Sequence, residues 1–216
     1  MSQDIYYTHA ELGAMQFKQL GRNVRVSRMA RLYSPPSIAL GDHCIVDDFC
    51  ILLGNIELGR NVHIAHGCRV LAGRDGIRMQ AFSGLAFGVT VFAQSDDYTG
   101  AALTNPTVPK EYRHITRAPV DIGRHVIVGT HSVVLPGVIM GEGSSIGACS
   151  LVTRSTEPWT IYTGTPAKPV RARARDMLMM EAQYLQQERV VSQAASFQGL
   201  DAPQDTNLQS KFSSEI

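Results

Sequence analysis

The side chains of this 216-residue chain with most to offer a reaction include the carboxylates Asp96-Asp97, seven histidines and four cysteines. An ordinary aspartate has a reference pKa of about 3.9. It is a poor base for a hydroxyl unless burial raises it. An amine, partly neutral near neutral pH, attacks with little help, so a carboxylate need only bind the ammonium and accept a proton late. The plainer reading of Asp96-Asp97 is a loop pair forming an Asx turn. His114, His125 and His131 are candidate bases, each with a surface or subunit-interface role as the alternative. His63-Ile64-Ala65-His66 has a spacing that suggests a metal, but in an extended strand side chains three apart point to opposite faces. It is therefore read as no metal site. The cysteines form no CxxC pair, which argues against a zinc knuckle or redox motif. Lys168, Arg171, Arg173 and Arg175 form the only basic cluster, either a solvated face or a phosphate site.

What must position these groups is a repeat. Leu40, Val46, Leu52, Leu58, Ile64 and Val70 lie six apart, and so do Ile122, Val128, Val134, Met140, Ile146 and Val152. A shorter copy runs through Met79, Leu85 and Val91, and a ragged one through Leu20, Val26 and Leu32. A period of six fits neither a helix nor a plain alternating strand. It fits short strands joined by tight turns, with one aliphatic residue inward per strand. Three strands then close a coil, and coils stack at about 4.8 Å. The expectation is an all-β solenoid of about six coils over residues 20–157. The glycine that often follows the inward residue, as at Gly41, Gly123 and Gly129, reads as a device for turning the backbone. Cys44, Cys50 and Cys68 also fall at inward positions. Cys50 and Cys68, 18 residues apart, are expected to stack as a reduced thiol pair.

The period breaks between Val91 and Ile122. The segment 94–118 carries no repeat but holds Pro106, Pro109, Asp96, Asp97, Asn105 and His114, and so long an excursion reads as functional. Residues 1–19 form an N-terminal segment with a short helix over Tyr6–Lys18. Residues 158–190 read as a closing loop, with Trp159 as a lid, followed by a helix from Arg171 to about Val190. Residues 191–216 read as a flexible tail. The net charge of +1 leaves no nucleic-acid footprint. No apolar run approaches the roughly 18 residues of a membrane span. The N-terminus lacks the pattern of a signal peptide, so a cytoplasmic location is expected.

Leu58-Gly59-Arg60-Asn61-Val62, Ile122-Gly123-Arg124-His125-Val126-Ile127-Val128-Gly129, Val134-Leu135-Pro136-Gly137-Val138 and the closing Gly164-Thr165-Pro166-Ala167-Lys168 resemble the hexapeptide-repeat acyltransferases. The resemblance covers roughly residues 20–175. It implies a left-handed parallel β-helix and a homotrimer with active sites between subunits. It also implies transfer of an acetyl group from acetyl-CoA to a hydroxyl or amine, with no metal. Asp47-Asp48-Phe49-Cys50-Ile51-Leu52, Phe82-Ser83-Gly84-Leu85, Ser95-Asp96-Asp97-Tyr98 and Leu103-Thr104-Asn105-Pro106 are similar to a subgroup from surface-polysaccharide gene clusters. Its members act on sugars or nucleotide-linked amino sugars.

The galactoside and maltose acetyltransferases of this family use a loop histidine as base. Asp96 stands at that place here, which favours an amine acceptor. The resemblance implies an N-acetyltransferase acting on a nucleotide-linked amino sugar, such as a GDP-linked 4-amino-4,6-dideoxy sugar, in O-antigen or capsule synthesis. Ser83, Ser95, Tyr98 and Asn105 would face that acceptor. Gly129, Ser132, Gly147 and Ala148 would hold pantetheine, with small residues required by tight turns as the alternative. Thr165, Pro166, Lys168, Arg171 and Arg173 would take the adenine and phosphate end. The alternatives are a sugar O-acetyltransferase, which would need a competent histidine, and a non-catalytic scaffold. A γ-carbonic-anhydrase-like site would need three converging histidines, and no such set is in register.

Overall fold

Every inward aliphatic residue of the repeat pairs with its counterpart one coil away. The computed structural model describes residues 5–197, and three parallel ladders run through it. The first aligns Leu20, Leu40, Leu58, Met79, Ile122 and Met140. The second aligns Val26, Val46, Ile64, Leu85, Val128, Ile146 and Tyr162. The third aligns Leu32, Leu52, Val70, Val91, Val134 and Val152. From Leu40 to Val152 these side chains are at most 4% exposed. Each contributes about 1.5–3 kcal/mol by leaving water. The molecule is a left-handed parallel β-helix of six coils and a partial seventh.

Corners are made differently from the sequence expectation. The glycines just after the inward residue are not where the chain adopts left-handed backbone. That conformation falls two residues later, at His43, Phe49, Asn61, Gly67, Phe82, Gly88, His125, His131, Gly143 and Cys149. The earlier glycines serve stacking instead. A Cβ at Gly41 would lie 2.6 Å from the Gly59 carbonyl carbon, inside any van der Waals contact. At four of these corners the residue after the left-handed position turns a small polar side chain inward and donates to the corner carbonyl of the next coil. Cys44 donates to Gly59 O (3.0 Å), Cys50 to Ala65 O (3.1 Å), Cys68 to Ala86 O (3.0 Å) and Ser132 to Gly147 O (3.0 Å). Thiol and hydroxyl do the same work, satisfying a buried acceptor. All four cysteines are free. Burial pushes the Cys44 thiol up to about 11. The hydrogen bond to Cys68, followed by burial, pushes Cys50 up as well.

Two ends depart from expectation. The N-terminal helix is shorter, α1 (His9–Ala14), because Thr8 and Glu11 form a capping box. The C-terminal helix does not begin at Arg171. Lys168–Ala172 is a strand antiparallel to Thr160–Thr163, and helix α2 runs from Met177 to Phe197. The expected flexible tail lies from residue 198 on outside the described residues; its first residues are helical. The chain divides into units at Arg173 and Ala174. No described helix is long and apolar enough to cross a membrane.

Candidate active site

The excursion between Val91 and Ile122 is an ordered hairpin loop. Gln94–Asp96 pairs antiparallel with Ile115–Arg117, which returns the chain to the third corner of the coil. The two carboxylates at its root are used differently. Asp97 accepts from Thr99 N (2.9 Å), Thr99 Oγ1 (2.7 Å) and Ala102 N (2.9 Å). These bonds, those from Thr99 first, hold its carboxyl down to about 2. That is the Asx turn, and it corrects the reading of Asp97 as a base. Asp96 accepts one backbone bond, from Asn105 N at 3.3 Å, and is half-buried. Asp97→Asn is therefore expected to loosen the loop: residues 98–104 should be cut faster in limited proteolysis at neutral pH. The Asp97 pKa is depressed in the folded state. Its contribution is present above the ordinary value of 3.8 and is lost as pH falls through about 2.

The other loop candidates line this hairpin. Tyr98 is 92% exposed and His114 is exposed. Ser95 Oγ donates to the Asp96 carbonyl (3.2 Å). Asn105, at φ +66°, accepts from Thr107 N (3.1 Å) and orders the turn.

Several expected site residues belong to the scaffold. Ser83 is 2% exposed and donates to Gln80 O at 2.6 Å, so it faces the core rather than an acceptor. His125 was expected to point outward but is 5% exposed. Its ring stacks on Phe82 (5.6 Å), lies 6.1 Å from Trp159 and takes a bond from Arg124 Nε (3.2 Å). It packs the corner beside Trp159, whose ring lies against Gly143. Ser132 is fully buried in the carbonyl pattern above. Gly129 and Gly147 are required by stacking. A Cβ at Gly129 would stand 2.6 Å from Ala148 N, and one at Gly147 would stand 2.8 Å from Thr163 Oγ1. Gly129→Ala is thus expected to lower stability by about 1–3 kcal/mol. The folded fraction should bind CoA unchanged, as thermal unfolding and calorimetry would show. Arg173 is not a free phosphate ligand. Its Nη1 donates to the carbonyls of His125 (2.7 Å), Gly143 (3.0 Å) and Ser144 (3.3 Å). Lys168, Arg171, Thr165, Pro166 and Ala148 are exposed, with Thr165 Oγ1 on Cys149 O (3.2 Å). His131 is exposed, its ring folded over Gly88.

A polar cluster not anticipated from sequence sits at another corner. His63 Nε2 is 2.8 Å from Asp47 Oδ2, and His66 Nδ1 is 3.3 Å from the same oxygen. The two histidines do not point apart, because the strand ends at Ile64 and His66 already lies in the following corner, next to Gly67 at φ +73°. Asp47 is buried and its other oxygen takes the Tyr6 hydroxyl (3.4 Å). Burial opposes its charge. The His63 bond and the two imidazoles nevertheless hold its carboxyl below the usual range. The signal lay in the coil stacking: Asp47 N bonds to Ile64 O, which sets Asp47 beside Ala65, between the histidines. Among the described residues no group of three or more His, Cys, Asp or Glu is arranged to hold a metal ion.

Residues 38–72 and 119–154 match the model of the bacterial transferase hexapeptide family (six repeats). A dTDP-4-amino-4,6-dideoxy-D-glucose acyltransferase from Escherichia coli is 35% identical over 82% of this chain and 93% of its own length. The chain belongs to the hexapeptide-repeat transferases. Among solved structures, the N-acyltransferase AntD from Bacillus cereus, in complex with dTDP and 3-hydroxybutyryl-CoA, superposes with a TM-score of 0.85. It is 36% identical, over 87% of this chain and all of that one. A variant of AntD with one serine replaced by alanine was solved with dTDP-4-amino-4,6-dideoxyglucose and coenzyme A. A maltose O-acetyltransferase from Clostridium difficile, 19% identical with a TM-score of 0.55, shares the fold.

Proposed function

We propose that this protein transfers an acetyl group from acetyl-CoA to the amine of a nucleotide-linked 4-amino-4,6-dideoxy sugar. The observation that carries this is the extent of the likeness. The E. coli and B. cereus enzymes match over nearly their whole length, and the second binds both a nucleotide and an acyl-CoA. The loop carboxylate fits an amine acceptor: Asp96 keeps an oxygen for an ammonium while Asp97 orders the turn. Those relatives make a dTDP-linked acceptor the first choice over a GDP-linked one. Lys168 and Arg171, exposed on the closing strand, would meet the CoA phosphates. The setting is cytoplasmic synthesis of a surface polysaccharide.

The working form is a homotrimer with active sites between subunits. Exposed Phe49, Phe87, Ile127 and Ile139 supply apolar surface for a second copy to cover. Light scattering should give about three times 23.6 kDa.

A thiol-release assay tests the reaction. Acetyl-CoA and 3-hydroxybutyryl-CoA are offered with dTDP-, UDP- and GDP-linked amino sugars and with galactoside and maltose. Turnover should require the sugar amine. Activity on hydroxyl acceptors alone would favour an O-acetyltransferase and overturn the reading.

A further inference from the structure

The hairpin loop holds a cation that, among the described residues, pairs with no carboxylate. Arg113 is half-buried, and its Nη1 donates to the Asn105 carbonyl at 3.2 Å. Its Nε is buried and has no acceptor in reach. An arginine stays charged at any working pH. A half-buried charge without a counter-ion is costly, and the planar guanidinium matches the oxygens of a phosphate. Asn105 ties this cation to the loop carboxylate. Its N–H donates to Asp96 Oδ2 at 3.3 Å, its carbonyl accepts from Arg113, and its Oδ1 accepts from Thr107 N at 3.1 Å. Backbone dimensions then keep Arg113 Nη1 and Asp96 Oδ2 within about 10 Å of each other. A fixed cation and a fixed anion on either side of one residue suit a ligand whose own charges are separated. Lys110, His114 and Arg117 are also in the loop, but all three are exposed. Water and salt screen such groups, and a histidine carries only part of a charge at neutral pH.

We propose that Arg113 binds the diphosphate of the acceptor and so makes the enzyme specific for a sugar nucleotide over a free sugar. This rests on the acetyltransferase reading above, which sets the sugar amine at Asp96. A 4-amino-4,6-dideoxy sugar linked to a nucleoside diphosphate carries its ammonium and its anion at opposite ends of one pyranose ring. The ammonium meets Asp96 and the diphosphate meets Arg113, whose Nη1 keeps its bond to Asn105. A free amino sugar or its simple glycoside has the ammonium alone and gains only from Asp96. Arg113 thus does two things with one side chain: it braces the Asn105 peptide behind the carboxylate, and it offers the remaining guanidinium edge to phosphate oxygens.

The test compares two acceptors in the thiol-release assay: the dTDP-linked 4-amino-4,6-dideoxy sugar and the methyl glycoside of the same sugar. Arg113→Ala should lose about 100-fold in kcat/KM on the first, mostly through KM, and only a few-fold on the second. Arg113→Lys should recover part of that loss. An equal loss on both acceptors means that Arg113 only supports the loop, and it overturns the proposal, as does no loss on either. Calorimetry reads the same contact without turnover, by comparing dTDP with thymidine, and UDP and GDP with their nucleosides. Arg113→Ala should lower the preference for the diphosphate about tenfold and flatten its dependence on salt. His114→Gln should leave that preference unchanged. A preference that falls with His114→Gln and not with Arg113→Ala overturns the proposal, while wild-type turnover of the amine keeps the acetyltransferase reading. A wild type that binds the diphosphate through Arg113 but acetylates no amine overturns that reading and keeps the phosphate contact.

Discussion

Asp96→Asn is expected to lower kcat/KM for the amino-sugar acceptor by about 100-fold at neutral pH, with the affinity for CoA unchanged. The substitution is nearly isosteric. Asn105 N still finds an oxygen to donate to, so the hairpin between Gln94–Asp96 and Ile115–Arg117 keeps its shape. What disappears is the negative charge. A half-buried carboxylate facing an ammonium is worth more than a surface pair, because less water screens it. The defect should appear mainly in KM for the amine and shrink as pH rises, because the amine loses the charge that the carboxylate holds. Steady-state kinetics at two pH values checks this. Asp97→Asn should leave kcat/KM within a few-fold, since Asp97 serves the loop. An Asp96→Asn enzyme with wild-type kinetics would remove the loop carboxylate from the site.

The coil was legible because a β-helix buries one residue per strand, so its core is written as a period in the chain. From Leu40 to Val152 no inward residue was misplaced. The long loop was legible as the stretch where that period stops. Relations between coils were legible only where no insertion intervenes, as for Cys50 and Cys68, 18 residues apart, which share a hydrogen bond. Counting 18 residues per coil fails wherever an insertion enters, as between Val70 and Met79, where Gly54 stacks on Gly73 and the extra residues bulge. Asp47, His63 and His66 are neighbours only through that stacking. His125 was misread for a related reason. A left-handed corner followed by an inward small residue folds the ring back over Phe82, and an alternating strand would have sent it outward. Ser83 and Ser132 looked like ligand contacts until the corner carbonyls that claim their hydroxyls were seen.

Arg173→Ala is expected to cost about 2–4 kcal/mol of stability, roughly 5–15 °C in Tm, and to leave the preference for CoA over dephospho-CoA intact. Sequence alone put Arg173 with Lys168 and Arg171 in a phosphate-binding cluster. The closing strand, antiparallel to Thr160–Thr163, separates them. Arg171 pairs with Ile161 and stays exposed, while Arg173 N bonds to Trp159 O and its guanidinium enters the corner below. There one nitrogen serves three carbonyls, those of His125, Gly143 and Ser144. Burial lowers its pKa, though an arginine stays charged at any working pH. Removing it takes the Arg173 donor from the His125 and Gly143 carbonyls beside Trp159, while Ser144 O keeps its bond from Ile127 N (3.4 Å). Lysine brings a point charge in place of the planar fork and should restore only part of the loss. The double change Lys168→Ala and Arg171→Ala should behave in the opposite way. Tm should hold, CoA binding should weaken about tenfold, and the dependence of that binding on salt should flatten. A fall in CoA affinity for Arg173→Ala, at a temperature where the variant is fully folded, would return Arg173 to the phosphate site.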